Sequence, residues 1–465
     1  MTLELKNKRV LVLGLGDTGL SMARWLYARG AHVRVADSRD NPPLARELGK
    51  LVPSTPLDTG PFKASSFTGI DLIAISPGVP LSEPLLAKAI AAKVPVVGDV
   101  ELFAQALNAL AARPKVLAIT GSNGKTTVTT LVGEMCQAAS LKTVVAGNIG
   151  LPVLDALMEA EVSGQPDVYV LELSSFQLET TANLKIDAAT VLNISQDHMD
   201  RYADIADYAM AKARIFRHCT TQVLNRDDAL TMSMRVSTQR AVTFGLDKAK
   251  NENEFGISEV EGIKGLYQGY KKLIIINELH INGLHNAVNA LAALALCRAI
   301  NLAPAPLIAA LKNFKGLPHR VQEVARISDV IFYDDSKGTN VGATVAALNG
   351  MSQPVVLIAG GDGKGQDFTP LNEPVKNHAR AVVLIGRDAE LIAAALKTSG
   401  VPLSRASDMP DAVNKSFAAA QPGDAVLLSP ACASFDMFRN YVQRAEMFIQ
   451  AVLSLKPKVA TGARL

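Results

Sequence analysis

Long apolar runs are what this sequence most clearly lacks. No uninterrupted hydrophobic stretch in its 465 residues reaches the roughly 20 residues that a membrane-spanning helix needs. Charge of one sign is also scarce, because 47 basic and 44 acidic residues leave a formal net charge of +3. Such a small excess does not indicate a nucleic acid or a membrane surface as partner. We therefore expect partners that are small molecules.

Signals of export or of an oxidising compartment are missing as well. The sequence has only four cysteines, and they lie far apart without paired spacing: Cys136, Cys219, Cys297 and Cys432. This excludes a disulfide framework and a zinc knuckle, and it favours a reducing cytoplasm. The first residues include basic side chains but lead directly into a predicted strand and a glycine-rich turn. We expect mature structure there rather than a signal peptide.

The composition is that of an ordinary globular protein. The sequence is 48% hydrophobic and 20% charged, which is enough apolar material for several cores. At about 150 residues per domain, its length predicts about three domains. Residues 104–114, AQALNALAARP, predict a helix and a linker into the second domain.

The segment Val116–Thr127, VLAITGSNGKTT, predicts a phosphate-binding loop. A short buried strand enters a glycine-rich turn, and a helix follows from Thr126. Glycines let backbone N–H groups approach phosphate oxygens, Lys125 adds a positive charge, and the Thr126 hydroxyl can bind Mg²⁺. The usual spacing places a glycine where Ile119 stands, so a plain strand–turn–helix connection is the alternative.

Residues 8–37 predict a strand–helix–strand unit with a full G-x-G-x-x-G pattern from Gly14 to Gly19 and an acidic residue, Asp37, after the second strand. This pattern is typical of dinucleotide binding and makes an NAD-dependent oxidoreductase the rival interpretation. The glycines could also serve only to pack the helix closely on the sheet.

Two further residues are metal candidates. Glu172 follows a buried strand beside the phosphate loop, where a carboxylate can hold Mg²⁺, although a surface glutamate at a strand end is the alternative. His198 lies in a loop just after another strand, among Asp197, Asp200 and Arg201. Lys212 lies on a predicted helix, and residue patterns alone give it no role.

The second half of the chain adds candidates for nucleotide and substrate binding. Asn286 and Asn289 share one face near the start of a long helix, where they could cap it or contact a nucleotide. Arg320 follows a predicted hinge and could reach a triphosphate. Four strands after residue 330 each end in a turn rich in Gly, Ser, Asp or Lys, which suggests a cleft for a small anion. Cys432 has no basic partner nearby in sequence, so we interpret it as a buried residue rather than a nucleophile.

The motifs together resemble those of the Mur ligases, the ATP-dependent amide-forming enzymes of peptidoglycan synthesis. They run through the whole chain: GDVELF (98–103), ITGSNGKTT (119–127), LELSSFQLE (171–179), the run from Asn193 to Asp200, GLHNAVNALAA (283–293), GLPHR (316–320), DDSKGTN (334–340), GGDGK (360–364) and LSPACASFDMF (428–438). The resemblance implies an α/β fold of three domains: a Rossmann-like N-terminal domain that binds UDP (1–107), a central P-loop ATPase-like mononucleotide-binding domain (108–317) and a Rossmann-like C-terminal domain that binds an amino acid (318–465).

The resemblance also implies site residues. Catalysis is assigned to Lys125, Glu172, His198 and Lys212, and metal binding to Thr126, Glu172, His198 and Lys212. ATP binding is assigned to Gly121, Ser122, Asn123, Gly124, Lys125, Thr126, Thr127, Asn286, Asn289, Arg320, Asp335 and Lys337. The UDP substrate is assigned to Asp17, Thr18, Ser38, Arg39, Ser76, Gly78 and Asn148. The amino acid is assigned to Thr339, Lys364, Ser434, Phe435 and Tyr441.

The implied reaction activates a carboxylate of UDP-N-acetylmuramoyl-L-alanine with ATP and joins it to D-glutamate through an acyl phosphate. The implied cofactors are ATP and Mg²⁺ at two sites, with Lys212 carbamylated, and the implied state is a cytoplasmic monomer. Another ligase of the superfamily, such as a folylpolyglutamate synthetase, is the alternative within this class. A nucleotide-binding regulator without catalysis is a further rival.

Overall fold

A computed structural model describes residues 4–281 and 283–456. It contains three sheets that follow one another along the chain, each with helices packed around it. The expected three-domain α/β architecture is confirmed. The domain boundaries at 107/108 and 317/318 stay predictions. None of the helices in the described residues is long and apolar enough to cross a membrane.

The first sheet is parallel throughout, in the order β3-β2-β1-β4-β5. Its strands are β1 (Arg9–Leu13), β2 (His32–Asp37), β3 (Leu57–Thr59), β4 (Leu72–Ile75) and β5 (Val96–Gly98). Its helices are α1 (Asp17–Ala28), α2 (Ala45–Leu51), α3 (Pro84–Ala91) and α4 (Asp99–Asn108). This is the doubly wound order, in which ligands bind where the strand order reverses, beside the carboxyl end of β1.

The middle sheet has nine strands in the order β14-β13-β12-β11-β10-β9-β6-β8-β7. Its strands are β6 (Lys115–Thr120), β7 (Thr143–Gly147), β8 (Val168–Glu172), β9 (Ile186–Val191), β10 (Cys219–Asn225), β11 (Arg240–Phe244), β12 (Glu254–Val260), β13 (Ile263–Gln268) and β14 (Lys271–Ile275). Its helices are α5 (Lys125–Ala138), α6 (Val153–Ser163), α7 (Ser175–Glu179), α8 (Ile205–Ala213), α9 (Ala229–Ser233), α10 (Leu284–Ala299) and α11 (Pro304–Asn313). Strand β6 lies third from one end of the sheet, between β8 and β9, and both neighbours are parallel to it.

The third sheet has six strands in the order β15-β16-β20-β17-β18-β19, with only β15 antiparallel to its neighbour. Its strands are β15 (Gln322–Ile327), β16 (Val330–Asp334), β17 (Val355–Gly360), β18 (Ala379–Ile385), β19 (Leu403–Arg405) and β20 (Ala425–Leu428). Its helices are α12 (Val341–Asn349), α13 (Asn372–His378), α14 (Ala389–Ala395), α15 (Met409–Ala419) and α16 (Tyr441–Leu453). The four turns singled out in the sequence therefore follow parallel strands at one edge of one sheet.

The helix that leaves the first sheet begins earlier than the sequence suggested. We expected a helix and linker over residues 104–114, whereas α4 begins at Asp99. Gly98 is extended, and Asp99 and Glu101 occupy the first turn, where acidic side chains favour a helix N-terminus. Glu101 is buried, and its carboxylate is satisfied there by hydrogen bonds from the backbone N–H groups of Ala182 and Asn183.

The first and middle domains share one hydrophobic core. It runs from Val10 and Trp25 in the first domain to Tyr169 and Phe216 in the middle one. The Phe103 ring of α4 meets the Tyr169 ring edge-on, with centroids 5.1 Å apart. Burial of continuous apolar surface resists separation, so these two domains should behave as one body.

The third domain has separate cores, built on the two faces of its own sheet. The connection into it, between α11 and β15, contains Gly316, His319 and Val321 with positive φ. His319 and Val321 have a left-handed backbone conformation that few non-glycine residues adopt, so the connection has a specific backbone conformation.

Arg444 is the largest fully buried side chain in the described part of the chain. From α16 it donates to the Ser336 hydroxyl at 3.0 Å, the Ser336 carbonyl at 2.7 Å and the Cys432 carbonyl at 3.0 Å. It thereby ties α16 to the turns after β16 and β20. Burial lowers its pKa to about 10.

We expect Arg444→Ala to destabilise the third domain by about 3–5 kcal/mol, because it leaves buried acceptors without donors. Calorimetric unfolding measures the change. Arg439→Ala, on an exposed side chain five residues earlier, is the control and should stay within about 0.5 kcal/mol. Equal losses for both substitutions would contradict the assigned role.

Candidate active site

The glycine-rich loop follows β6 and ends in α5, as the sequence predicted. Gly121 and Gly124 have φ of 148° and 82°, a region that side chains disfavour. A Cβ on Gly124 would lie 2.6 Å from the Asn289 side-chain oxygen. The loop thus needs glycine for its backbone shape and for the close approach of α10.

Hydrogen bonds fix the loop against the segment after β9. The Asn123 backbone N–H donates to the Asn193 side chain at 2.9 Å, and the Asn193 amide donates back to the Asn123 carbonyl at 3.1 Å. The Ser122 hydroxyl donates to the Ser195 carbonyl at 3.0 Å. This leaves the N-terminus of α5 as a preformed site for an anion.

Lys125 lies at the first position of α5, with its ammonium 2.9 Å from the Gly121 carbonyl and 3.0 Å from the Ser122 carbonyl. Burial lowers its pKa; Glu172 and Asp197 oppose that shift, while Arg320 adds to it. A cation held over the loop that it belongs to is placed to meet phosphate oxygens.

Glu172 is the last residue of β8 and is 1% exposed. Its Oε1 accepts a hydrogen bond from the Asn148 amide at 2.8 Å. Its Oε2 is buried and has no hydrogen-bond partner among the described residues. An orphaned carboxylate oxygen is costly, and a cation beside it would remove that cost.

His198 follows β9 with φ of 59°. Its Nε2 lies 3.6 Å from an Asp197 oxygen, and its ring meets Phe176 edge-on at 4.8 Å between centroids. Burial lowers the pKa of His198, and Lys364 adds to that shift while Asp197 opposes it. The imidazole is therefore poised as a neutral nitrogen donor, and a lysine of the third domain is close enough to influence it.

Lys212 projects from α8 towards β6 and is 2% exposed. Its Nζ lies 3.4 Å from the Thr120 hydroxyl and 4.6 Å from the centre of the Tyr208 ring. Burial and then the nearby Lys125 lower its pKa well below its ordinary value, against Asp197 and Glu172. Burial therefore disfavours the charged form of this amine.

A cleft of about 260 Å³ opens between the loop and the third domain. Eight of the residues predicted to bind ATP line it: Asn123, Gly124, Thr127, Asn286, Asn289, Arg320, Asp335 and Lys337. The N-cap of α10 is Gly283, without a side-chain cap hydrogen bond among the described residues. The Asn286 and Asn289 side chains are instead buried beside the cleft and hydrogen-bonded to each other at 3.3 Å.

The third-domain wall of the cleft is charged. Burial raises the pKa of Asp335 to about 7, although a hydrogen bond from Ser429 at 2.7 Å opposes this. Burial and the neighbouring Arg320 lower the pKa of Lys337 to about 8. The Lys337 ammonium lies 3.9 Å above the Tyr441 ring, which is a cation–π contact.

The turns of the third domain that were predicted to bind an amino acid lie together. Asp362 and Ala433 pair through backbone hydrogen bonds of 2.9 and 2.8 Å. Lys364, with φ of 51°, has its N–H bonded to the Asp362 carboxylate at 3.0 Å. Ser434 is buried, whereas Phe435 is 71% exposed.

Of the other two predicted residues, Tyr441 packs against Lys337. Thr339 follows the same β16 turn as Lys337.

The predicted UDP residues of the first domain flank the carboxyl ends of β1, β2 and β4. Asp17 and Thr18 begin α1, and Arg39 pairs with the buried Asp37 at 2.7 Å. The Arg39 contact holds the pKa of Asp37 at about 2. Asp37 also accepts from the Leu15 N–H at 2.6 Å, so both its oxygens are engaged.

The remaining three UDP candidates connect to other parts of the site. Ser76 donates to the Gly14 carbonyl at 3.1 Å, and exposed Gly78 follows in the same turn. The Asn148 side-chain amide donates a hydrogen bond to the Glu172 carboxylate. Arg201 donates to the Pro77 carbonyl at 2.8 Å and pairs with Glu179 at 2.7 Å, joining this turn to the middle domain.

Sequence reasoning missed several cleft residues. Asn225, Asp227 and Leu246 line the wall beyond α10. The polar run at the end of β10, beside a parallel strand, was the signal that could have found the first two. Asn340, which contacts the phosphate loop, was also missed, since nothing in sequence shows which loop it faces.

Family models match three successive parts of the chain: "Mur ligase MurD-like, N-terminal domain" over residues 8–98, "Mur ligase middle domain" over 119–297 and "Mur ligase, glutamate ligase domain" over 319–432. The chain belongs to the Mur ligase family. Two proteins named UDP-N-acetylmuramoylalanine--D-glutamate ligase are among its relatives. The one from Methylobacillus flagellatus is 60% identical, covering 98% of this chain and 99% of that one. The one from Nitrosospira multiformis is 56% identical, covering 99% and 98%.

Solved Mur ligase structures share the fold at low identity. MurC from Thermotoga maritima, a UDP-N-acetylmuramate-alanine ligase, has a TM-score of 0.59 at 20% identity and covers 96% of this chain and 100% of that one. MurF from Acinetobacter baumannii has a TM-score of 0.61 at 16% identity, with 97% and 92% covered.

The raised pKa of Asp335 predicts a pH-dependent stability for this Mur ligase. An unfolded aspartate titrates near pH 4, so between pH 4 and about 7 the folded chain holds a proton that the unfolded chain has lost. Stability should therefore fall as pH rises through that window, by up to about 1.4 kcal/mol per pH unit. Asp335→Asn should flatten the curve.

Thermal unfolding at pH 5, 6 and 7 measures this slope. Asp329→Asn, on an exposed carboxylate of the same domain, should keep the wild-type slope. If the slopes of wild type and Asp335→Asn coincide, Asp335 is ionised throughout.

Proposed function

We propose that this protein joins D-glutamate to UDP-N-acetylmuramoyl-L-alanine, with hydrolysis of ATP to ADP and phosphate. The observation that carries this proposal is the 60% identity over 98% of the chain to a relative of that name. The site supplies what the reaction needs: a phosphate loop, a carboxylate with a free oxygen, and a third domain whose polar turns meet them.

ATP binds with its phosphates on the loop Gly121–Thr127. Lys125, Arg320 and Lys337 provide positive charge, and each has a pKa lowered chiefly by burial. Because cations crowded together in a poorly hydrated cleft destabilise one another, a polyanion is a favourable guest. Asn286 and Asn289 contact the nucleotide from α10.

A magnesium ion fits beside Glu172. The free Oε2 is an oxygen ligand of the kind Mg²⁺ prefers. Thr126, whose hydroxyl is the other proposed ligand, lies in the first turn of the adjacent helix. Asn148 holds the other carboxylate oxygen and so orients the group. When bound, the ion neutralises phosphate charge during transfer.

A second magnesium site would use His198 and a carbamylated Lys212. Residues 4–281 and 283–456 contain no ready cluster of three His, Cys, Asp or Glu side chains for a metal. A neutral buried amine can attack CO₂ at carbon, forming a C–N bond and releasing one proton. The resulting carbamate would provide the missing anionic oxygens at Lys212.

The chain's residues then serve two chemical steps. The substrate carboxylate attacks the γ-phosphorus of ATP, the bond from that phosphorus to the β–γ bridging oxygen breaks, and ADP leaves. The cations of the cleft stabilise the charge that develops on the transferred phosphoryl group. The D-glutamate amine attacks the acyl phosphate carbon and loses a proton, and phosphate leaves from the tetrahedral intermediate. Thr339, Lys364, Ser434, Phe435 and Tyr441 are proposed to position D-glutamate, so that the amine reaches the acyl carbon.

The uridine diphosphate part of the substrate is proposed to lie along Asp17, Thr18, Ser38, Arg39, Ser76 and Gly78, at the β1 edge of the first sheet. Asn148 then lies between this substrate and the metal carboxylate. Every proposed group comes from a single chain, so we propose a monomer that works in the cytoplasm.

The proposal predicts that phosphate release from ATP requires both UDP-N-acetylmuramoyl-L-alanine and D-glutamate. Lys125→Ala should reduce turnover about a hundredfold or more, because it removes a cation from the transferring phosphate. A coupled phosphate assay measures this. Lys115→Arg, on the exposed first residue of β6, should retain wild-type turnover.

The same assay separates the rivals. Phosphate release that ignores the amino acid would contradict the ligase, and turnover with a folate and L-glutamate would favour a polyglutamate ligase. Tight NADH binding without ATP binding, followed through Trp25 fluorescence, would revive the oxidoreductase. Turnover that survives Lys125→Ala would reopen the whole assignment.

Carbamylation predicts a carbon signal from the protein itself. After equilibration with ¹³C-bicarbonate, wild type should give one carbamate resonance, and Lys212→Arg should lack it, since a guanidinium does not form the carbamate. Lys185→Arg, on an exposed lysine, should keep the resonance. A resonance that persists in Lys212→Arg would place the carbamate on another amine.

A further inference from the structure

The third domain meets the phosphate loop through a short surface made of residues 195–197 and Asn123. The Asp367 N–H donates to the Gln196 side chain at 3.2 Å. The Asn123 amide donates to the Ser195 hydroxyl at 3.3 Å. This surface contrasts with the shared apolar core that joins the first two domains, because its contacts are mainly polar.

Asn340 is the residue of the third domain that engages this surface most closely. It is 2% exposed and caps α12, with its Oδ1 accepting from the Ala343 N–H at 2.9 Å. Its Nδ2 donates to the Asn123 Oδ1 at 3.0 Å and to the Asp197 Oδ2 at 3.4 Å. The amide oxygen of Asn340 is therefore used within the third domain, and its two amide protons are used across the junction.

Gly342 lies two residues further and lets the two surfaces meet. A Cβ there would lie 2.5 Å from the Ser195 hydroxyl, 2.8 Å from the Ser195 Cβ and 3.2 Å from the Asn123 amide nitrogen. Contacts this short require the surfaces to move apart. Gly342 is part of a regular helix, so its use is the absence of a side chain rather than an unusual backbone.

We propose that Asn340 is a positioning residue that sets the third domain in register with the phosphate loop, and that Gly342 provides the clearance for this contact. Asn340 contacts Asn123, which belongs to the phosphate loop, and Asp197, which directly precedes His198. The proposed D-glutamate site and the phosphate loop lie on opposite sides of this junction, so their alignment depends on it. The inference rests on the proposed ligase function only for its kinetic consequence.

Three substitutions test the contact while keeping α12 intact. Asn340→Ser retains an N-cap oxygen but is too short to reach Asn123 and Asp197. Asn340→Asp also retains the cap, but it places a carboxylate against Asp197. Gly342→Ala should favour the helix locally while blocking the approach of Ser195. Asp408→Ser, at the N-cap of α15 where the side chain accepts from the Asp411 N–H at 2.9 Å, is the matched control for replacing an N-cap side chain by serine.

Small-angle scattering of the full chain without ligands should report a smaller fraction of closed molecules for all three substitutions. In a closed molecule the third domain contacts residues 195–197 and Asn123. We expect the closed-to-open ratio to fall roughly tenfold for Asn340→Ser, in keeping with the loss of two buried hydrogen bonds, and further for Asn340→Asp. The KM for D-glutamate should rise by a similar factor. Binding of UDP-N-acetylmuramoyl-L-alanine without ATP, measured by calorimetry, should change less than twofold, because its proposed site lies in the first two domains.

Scattering curves of Asn340→Asp and Gly342→Ala that superimpose on wild type would overturn the proposal. The proposal would also be overturned if Asn340→Ser and Asp408→Ser lowered the melting temperature and the binding of the uridine substrate by equal amounts. Asn340 would then be only a helix cap. If the wild-type protein lacks ligase activity, the scattering comparison still decides the contact. Failure of the inference and failure of the proposed function therefore give different results.

Discussion

The crowding of cations around one glycine-rich loop is the constraint on which the rest of the structure depends. Lys125, Arg320 and Lys337 come from different parts of the chain, and the pKa of each is lowered chiefly by burial. Glu172 and Asp197 offset only part of this charge. An interior that holds excess positive charge is stable only when the surrounding fold fixes it there, and a polyanion is the natural means of relieving it. The cost of holding these charges apart from water is thus coupled to the binding of a nucleotide.

The two domain junctions meet this constraint in different ways. An apolar core joins the first and middle domains, so the edge that carries the proposed uridine site keeps a fixed position relative to Glu172. The third domain brings Arg320, Asp335 and Lys337 to the cleft across a junction made mainly of polar contacts. Polar contacts exchange readily with water at modest net cost, whereas separating an apolar core exposes its whole surface. Motion of the third domain against a rigid pair is therefore the movement that this architecture permits most easily.

Much of this could be predicted from the sequence because the signals are local. The strand–helix–strand unit over residues 8–37 followed from its glycine pattern, and the polar turns at one edge of the third sheet followed from the rule for parallel strands. What could not be predicted depends on packing between distant segments. Lys212 looks like any helical lysine until α8 is seen to turn it towards β6, and Asn340 looks like a helix cap until the phosphate loop is seen beside it. The early start of α4 was missed because Asp99 and Glu101, normally surface residues, are buried at a domain junction.

Asn148 illustrates how one residue can connect two parts of the site. The resemblance assigned it to the substrate, and the structure places its amide on the Glu172 carboxylate while its backbone N–H donates to the Glu172 carbonyl at 2.8 Å. Gly147 makes this possible, since a Cβ there would lie 2.3 Å from the same carbonyl. With one oxygen held and the other free, the carboxylate has a single orientation and a single open coordination position. Substrate and metal would then be read by neighbouring atoms of one short turn, which couples the position of the reacting carboxylate to that of the ion.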